Sequence, residues 1–192
     1  PDDAFPAAMH QIIETAGVMD YYAMTSLLGD CCSIDNNFYV MRDDDTKRWS
    51  VLPWDKDTGF SGHEYNPPTV LQPIDWGMQG VGPKWNVLTD RTLRVPAFRD
   101  RFCNTLASTL ESTFTPEIMH PRIDAVMDEI EFDVWRDILK RGREDPGDFI
   151  QAREDLKTWI GGRRTWLGPK DRACQFCHAH GAAFRRFPSQ GV

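Results

Sequence analysis

The chain has 192 residues, 41% hydrophobic and 27% charged, which are ordinary values for a globular domain. This length fits one domain, or one lobe of a larger one, and can bury a real core. The formal net charge of −7 argues against nucleic acids and anionic membranes as partners, because both require neutralised phosphates. No apolar run reaches about 18 residues, so no transmembrane span is predicted.

Two short helices are predicted near the start of the chain. Apolar residues recur at i, i+3, i+4 and i+7 within residues 7–16, which indicates an amphipathic helix that ends at Gly17. Asp20 is then expected to cap a second helix over residues 21–28. This second helix leads into a polar loop after Gly29.

A β-hairpin is predicted next, over about residues 37–53. Two stretches of β-branched, aromatic and apolar residues flank a charged segment, residues 42–48, that has the composition of a turn. A hairpin would set Asn37, at the start of one strand, near Asp55, just past the end of the other.

Amide and carboxylate oxygens that meet at strand ends suit a hard cation such as Mg²⁺ carrying a nucleotide phosphate. Protein kinases hold Mg²⁺ with an Asn of the catalytic loop and an Asp beyond the next hairpin. We therefore predict Asn37 and Asp55 as metal ligands, with Asp57 adjacent. The alternative is that these are ordinary turn residues, since Asp and Asn are common in turns.

The second half of the chain combines a long loop with helices. Residues 61–84 are dense in Gly and Pro and predict an irregular loop. Helix starts are predicted at Thr115 and Asp145, each followed by Pro, and a helix end at Gly161 and Gly162. Cys103 is interpreted as a small buried hydrophobe. An apolar stripe with four-residue spacing predicts a core-facing helix and consists of Phe98, Phe102, Leu106, Leu110 and Phe114.

Several of these motifs resemble the CotH-type (spore coat protein H) kinase family. The stretches that carry the resemblance are Leu27-Leu28-Gly29, Asn37-Phe38-Tyr39-Val40-Met41, Trp49-Ser50-Val51-Leu52-Pro53-Trp54-Asp55-Lys56-Asp57, Pro96-Ala97-Phe98-Arg99 and Arg163-Arg164-Thr165-Trp166-Leu167. The resemblance covers roughly residues 15–168. It implies an α+β, mainly helical fold, namely a protein-kinase-like C-lobe with one hairpin and about four to five helices. It also implies that the first domain spans residues 1–168 and binds Mg²⁺ and ATP through Asn37 and Asp55.

The position of the catalytic base departs from the family pattern. Without gaps, the family's catalytic Asp falls on Cys32, and a thiol with a pKa of about 8.5 is a poor base at neutral pH. Loss of a positioned base costs ~10²–10⁴-fold in rate. Asp30 and Asp35 are candidate substitutes if the loop is shifted by two or three residues. The resemblance therefore implies either a slow kinase or a pseudokinase.

A kinase also needs an N-lobe with a loop that covers the phosphates and a Lys that binds them. No Gly-rich loop followed by a strand Lys precedes Asp30. The chain opens at Pro1 without an initiator Met or a leader, so residue 1 is expected to be internal to a longer gene product. The N-lobe is accordingly expected from the rest of that product or from another chain.

Residues 169–192 form a basic tail that contains Cys and His. Cys174, Cys177 and His178 match the C-x-x-C-H pattern of c-type haem attachment. The same residues with His180 could instead hold Zn²⁺. A tail this short offers few apolar side chains to enclose a haem.

A disulfide is the third interpretation of the tail, either local or to Cys31 or Cys32, in an oxidising compartment. Five cysteines leave one over, and Cys103 is the natural odd one. The family resemblance and the cysteine content favour a secreted, periplasmic or cell-surface location.

Three functional hypotheses follow from the sequence. The first is a CotH-like atypical protein kinase, or a degenerate pseudokinase, that uses Mg²⁺ and ATP and acts on a protein substrate. The second is a non-catalytic structural or assembly subunit of a protein complex. The third is a subunit that carries a metal or a c-type haem through residues 174–180.

Overall fold

The structure, a computed structural model, describes residues 4–30, 37–57, 59–60, 87–142 and 147–168. Within these ranges the chain forms six helices and one two-stranded antiparallel hairpin, which confirms the α+β, mainly helical prediction. The elements are α1 (Phe5–Ile12), α2 (Thr15–Leu28), β1 (Phe38–Arg42), β2 (Trp49–Pro53), α3 (Val87–Arg94), α4 (Pro96–Ser112), α5 (Pro116–Lys140) and α6 (Gly147–Leu167). The helix count exceeds the expected four to five because Pro96, which lacks an amide hydrogen, ends α3 and starts α4 as separate helices.

The core lies where α2 packs against α4. All five members of the predicted stripe from Phe98 to Phe114 are buried, so that prediction is confirmed. Helix α2 contributes Val18, Met19, Tyr22, Ala23 and Leu27, and α6 contributes Trp159, Ile160 and Leu167. Helix α2 packs against both α4 and β2.

The predicted boundary between the first two helices is wrong. Helix α1 ends at Ile12 because the chain turns to pair with β2, where the amide of Glu14 donates to the carbonyl of Trp49 at 2.8 Å. The Glu14 carboxylate then caps α2 by accepting from the amide of Gly17 at 2.5 Å. A Cβ at position 17 would lie 2.6 Å from that carboxylate, so Gly17 belongs to the start of α2 and permits its cap.

Asp20 is not a helix cap but a link between α2 and α4. Its carboxylate accepts from Nε of Arg101 at 2.8 Å, from Nη2 of the same guanidinium and from the Thr105 hydroxyl at 2.6 Å. The Arg101 guanidinium is the main cause that lowers the pKa of Asp20. Asp20 therefore stabilises the central helix pair most when it is ionised.

Replacing Asp20 by Asn is expected to lower the free energy of unfolding by about 1 kcal/mol at neutral pH, a value discounted for partial exposure of the pair. Because the folded state lowers the Asp20 pKa, this contribution is complete above the unfolded value of about 3.9 and disappears as the pH falls through the lower folded pKa. Urea unfolding of both proteins from neutral pH to acid measures it. Asp133→Asn on the exposed surface of α5 is the matched control, and a difference that does not vary with pH would contradict the assignment.

The two long C-terminal helices confirm one predicted boundary and correct another. Helix α5 begins at Pro116, directly after Thr115 as predicted. Helix α6 passes through Gly161 and Gly162 and ends at Leu167. Two helical Gly residues cost about 1 kcal/mol each relative to Ala, and the burial of the last turn outweighs this cost. The predicted helix start at Asp145 lies outside the described residues.

Cys103 on α4 is disulfide-bonded, so its interpretation as the odd, unpaired cysteine is wrong. It is the sole cysteine in the part of the chain that the structure describes, and its partner therefore lies outside that part. The side chain is partly buried and packs against the core. The position of Cys103 beside the apolar stripe indicated that it is buried, but it could not show that its sulfur is in a disulfide bond.

None of the helices within the described ranges is both long enough and apolar enough to cross a membrane.

Candidate cation site at the hairpin ends

The hairpin register brings Asn37 and Asp55 together. Phe38 pairs with Pro53, so the strand ends lie side by side and the amide of Trp54 donates to the carbonyl of Asn37 at 3.3 Å. The side-chain amide nitrogen of Asn37 donates to the backbone carbonyl of Asp55 at 3.1 Å. This contact orients the Asn37 side-chain amide, whose oxygen is the predicted cation ligand.

Asp55 adopts a left-handed backbone conformation, with φ of 51°. Residues other than Gly rarely occupy this region, although Asp tolerates it better than most. Strained backbone of this kind concentrates at functional sites, where the surrounding contacts hold it. Here the side-chain amide of Asn37 donates to the backbone carbonyl of Asp55 and thereby stabilises the turn.

Lys56 is the cationic centre of the site. Its Nζ donates to the carbonyl of Asn37 at 2.7 Å and to the Tyr21 hydroxyl at 2.9 Å, and it lies 3.6 Å from Oδ2 of Asp30. Burial is the largest effect and lowers the pKa of Lys56, while the Asp30 carboxylate opposes it. Lys56 therefore joins the turn after β2 to both the start of β1 and the end of α2.

Asp30 lies directly after α2 and is 2% exposed. Gly29, in the left-handed conformation, ends the helix, and the amide of Asp30 donates to the carbonyl of Thr25 at 3.2 Å. A general base must reach the substrate hydroxyl, whereas the Asp30 carboxylate is buried and paired with Lys56. The role of Asp30 as a substitute base therefore stays a prediction.

Arg163 supports the site from α6. Its guanidinium is fully buried, donates to the carbonyls of Ser26 at 2.5 Å and Leu27 at 3.1 Å, and lies over the Trp166 ring. Burial lowers the pKa of Arg163 to about 9, so it stays charged at neutral pH. A cation at the C-terminal end of α2 offsets the negative end of the helix dipole. Arg163 thus fixes the helix end from which Asp30 projects.

Sequence reasoning missed Lys56, Tyr21 and Arg163 as parts of this site. The one indication of Lys56 in the sequence was its position between two Asp residues just after the second strand. Tyr21 was placed in a helix and Arg163 in an Arg-rich turn, and neither position pointed to the hairpin. Their contacts join residues that are far apart in the chain.

The remaining candidates divide by whether the structure describes them. Asp57 lies two residues past Asp55, at the start of a turn in which the amide of Gly59 donates to the carbonyl of Lys56. The candidates outside the described residues are Cys32, Asp35, Cys174, Cys177, His178, His180 and the loop over residues 61–84. Soret absorption and metal analysis test the haem and zinc interpretations of the tail.

A metal at this site would need ligands beyond Asn37 and Asp55. Within the described ranges no three His, Cys, Asp or Glu side chains lie close enough to hold an ion by themselves. Asn37 and Asp55 offer one amide and one carboxylate group, and Mg²⁺ commonly binds one or two carboxylates and takes its other ligands from phosphates and water. The pair therefore fits Mg²⁺ that arrives with a nucleotide.

Two comparisons relate the chain to known proteins. The family described as CotH kinase protein matches residues 1–167 of the chain. Inner spore coat protein H of Bacillus subtilis (strain 168) is 30% identical over 106 residues, which are 55% of this chain and 28% of that protein. The chain thus matches less than a third of the length of this relative.

Proposed function

Because the chain belongs to the CotH kinase family, we propose that it binds a Mg²⁺-nucleotide at the hairpin ends. Asn37 and Asp55 are the proposed metal ligands, with Asp57 adjacent. The observation that carries the proposal is the contact from the Asn37 amide to the carbonyl of Asp55, which joins the two ligands across the hairpin. Bound Mg²⁺ neutralises phosphate charge and orients the phosphates for transfer.

The protein contributes positioning to this chemistry. The Asn37 contact and the Lys56 contacts hold the turn at Asp55 before any ligand arrives, so little reorganisation is needed on binding. Lys56 is paired with Asp30, and Asp55 and Asp57 are the carboxylates that we propose for the cation. With ATP as the nucleotide, the acceptor would be a hydroxyl of a protein substrate.

Nucleotide binding and phosphotransfer are separate properties of the proposed site. In an ungapped match to the family pattern, Cys32 falls on the catalytic Asp, and we therefore propose a degenerate kinase whose phosphotransfer is slow or absent. Asp30 and Asp35 are the candidate substitute bases. Loss of the base costs ~10²–10⁴-fold, so nucleotide binding is expected to persist where turnover does not.

An exposed apolar face on the hairpin supports the expectation that another lobe covers the nucleotide. The rings of Tyr39 and Trp54 stand 5.1 Å apart and are both more than half exposed, and Met41 and Leu52 add to this surface. Contiguous exposed apolar surface marks an interaction site. The N-lobe would come from the rest of the gene product or from another chain.

A non-catalytic structural or assembly role is the second candidate function. Cys32 at the base position favours it, and the related protein is named as an inner spore coat protein. This candidate differs from the first in one measurable property, because an assembly subunit need not bind nucleotide. Its partners would be other proteins of a complex.

Thermal unfolding of the full-length protein with and without Mg²⁺-ATP tests the proposed function. A ligand present at 100 times its Kd raises the free energy of unfolding by about 2.7 kcal/mol, so the Tm of the protein is expected to rise by roughly 5–10 °C. Asp55→Ala is expected to remove most of this rise because it deletes a metal ligand. ATP without Mg²⁺ is expected to have little effect.

Asp44→Ala, which removes an exposed carboxylate in the turn of the same hairpin, is the matched control and should keep the full rise. The proposal fails if Mg²⁺-ATP produces no rise in the full-length protein, or if Asp55→Ala and the control respond equally. The first of these results would favour the assembly role.

A further inference from the structure

The Lys56 ammonium occupies a pocket of oxygen atoms beside the proposed metal site. Three oxygen atoms lie near Nζ: the backbone carbonyl oxygen of Asn37 at 2.7 Å, the hydroxyl of Tyr21 at 2.9 Å and a carboxylate oxygen of Asp30 at 3.6 Å. These three oxygen types are the ligands that hard cations take in proteins. The Tyr21 ring adds its face, with its centroid 5.0 Å from Nζ.

Contacts that do not involve Lys56 hold the Tyr21 ring, the Asn37 carbonyl and the backbone of Asp30. Tyr21 lies in α2, is largely buried and has its ring 6.2 Å from that of Phe38. The Asn37 carbonyl accepts from the amide of Trp54, and the amide of Asp30 donates into the last turn of α2. Removal of the Lys56 side chain would therefore leave an ordered pocket that carries the Asp30 charge.

We propose that Lys56 is a built-in cation that fills a cation-binding pocket formed by Asp30, Tyr21 and the Asn37 carbonyl. Its ammonium group neutralises Asp30 without a metal ion, and a chain that lacks it takes up a small cation or amine in the same place. The pocket does not depend on nucleotide binding. One consequence does rest on the proposed function: the hairpin site takes a single divalent cation, because Lys56 already occupies the neighbouring position.

Chemical rescue of Lys56→Ala tests the proposal. The variant leaves Asp30 buried without its ammonium partner, and its Tm is expected to fall by roughly 5–10 °C, a value reduced for the partial exposure of Lys56. Ethylammonium chloride is expected to recover about half of this fall, because one ethylammonium ion restores both the charge and part of the removed side chain. Tetramethylammonium chloride at equal ionic strength is too large for the pocket and should recover little.

Two further variants make the test specific. Lys140→Ala removes an exposed Lys at the end of α5 and should show no difference between the two salts. The double variant with Asp30→Asn and Lys56→Ala lacks the charges of both residues and should lose the response to ethylammonium. If Lys56→Ala is isolated unfolded, the fraction that refolds, measured by circular dichroism, is compared in the two salts.

Equal responses of Lys56→Ala to the two salts would overturn the proposal, whether read as Tm or as refolded fraction. An unchanged response in the double variant would overturn it as well. No nucleotide enters this experiment, so its failure is separate from a failure of the Mg²⁺-ATP shift in the wild-type protein.

Discussion

Replacing Arg163 by Met is expected to lower the free energy of unfolding by about 3–5 kcal/mol. The fully buried guanidinium donates to the carbonyls of Ser26 and Leu27, which lie in the last turn of α2. Met cannot donate a hydrogen bond, so the variant loses both of these contacts at the end of α2. The change also removes a cation from the negative end of the helix dipole and the contact with the Trp166 ring.

Equilibrium unfolding in urea measures this loss. Arg141→Met is the matched control, because the Arg141 side chain is 70% exposed and forms a surface ion pair with Asp137, so a change within about 0.5 kcal/mol is expected. Arg163→Lys keeps the positive charge but loses the planar guanidinium, so its free energy of unfolding is expected to lie between those of the other two variants. Equal stabilities of Arg163→Met and the control would refute the assigned role.

Hydrogen exchange shows where the Arg163 change acts. The amides of Gly29 and Asp30 donate into the last turn of α2, so they report directly on its order. Faster exchange at these two amides than at the amides of α5 is expected in Arg163→Met, because the last turn of α2 frays first. A uniform increase would instead indicate global destabilisation without a special link between α6 and the hairpin site.

Replacing Phe102 by Ala is expected to lower the free energy of unfolding by about 3–5 kcal/mol as well. Phe102 is 0% exposed and lies in the middle of the α4 stripe that packs against α2. The truncation loses the transfer free energy of the ring and leaves a cavity between two helices that relax only partly. Urea unfolding of the variant gives the value.

Phe132→Ala is the matched control for the core prediction. Phe132 lies on α5 and is 71% exposed, so removal of the same ring there should change the stability by less than about 0.5 kcal/mol. A small effect at Phe102, equal to that at Phe132, would mean that α2 and α4 do not form the stabilising core.

The candidate site was predicted in part from the sequence. A charged turn between two apolar stretches specified the hairpin, and the hairpin register then brought Asn37 to Asp55. Lys56 could not be assigned from the sequence, since its contact with Asp30 depends on how the end of α2 meets the turn after β2. The base position at Cys32 and the candidate substitute Asp35 lie outside the described residues, so their roles stay predictions.

Local patterns within a few residues determined the elements that the sequence predicted correctly, namely the hairpin, the stripe from Phe98 to Phe114 and the start of α5. Turn chemistry, helical periodicity and a Pro at the first helical position each act over short stretches of chain, so they can be seen without the fold. The tertiary structure alone decided that α6 continues through Gly161, that Asp20 binds Arg101, and that Arg163 holds the end of α2. The physical reason is that burial and hydrogen bonding between distant segments outweigh local preferences of about 1 kcal/mol, and these contacts exist only after the helices pack together.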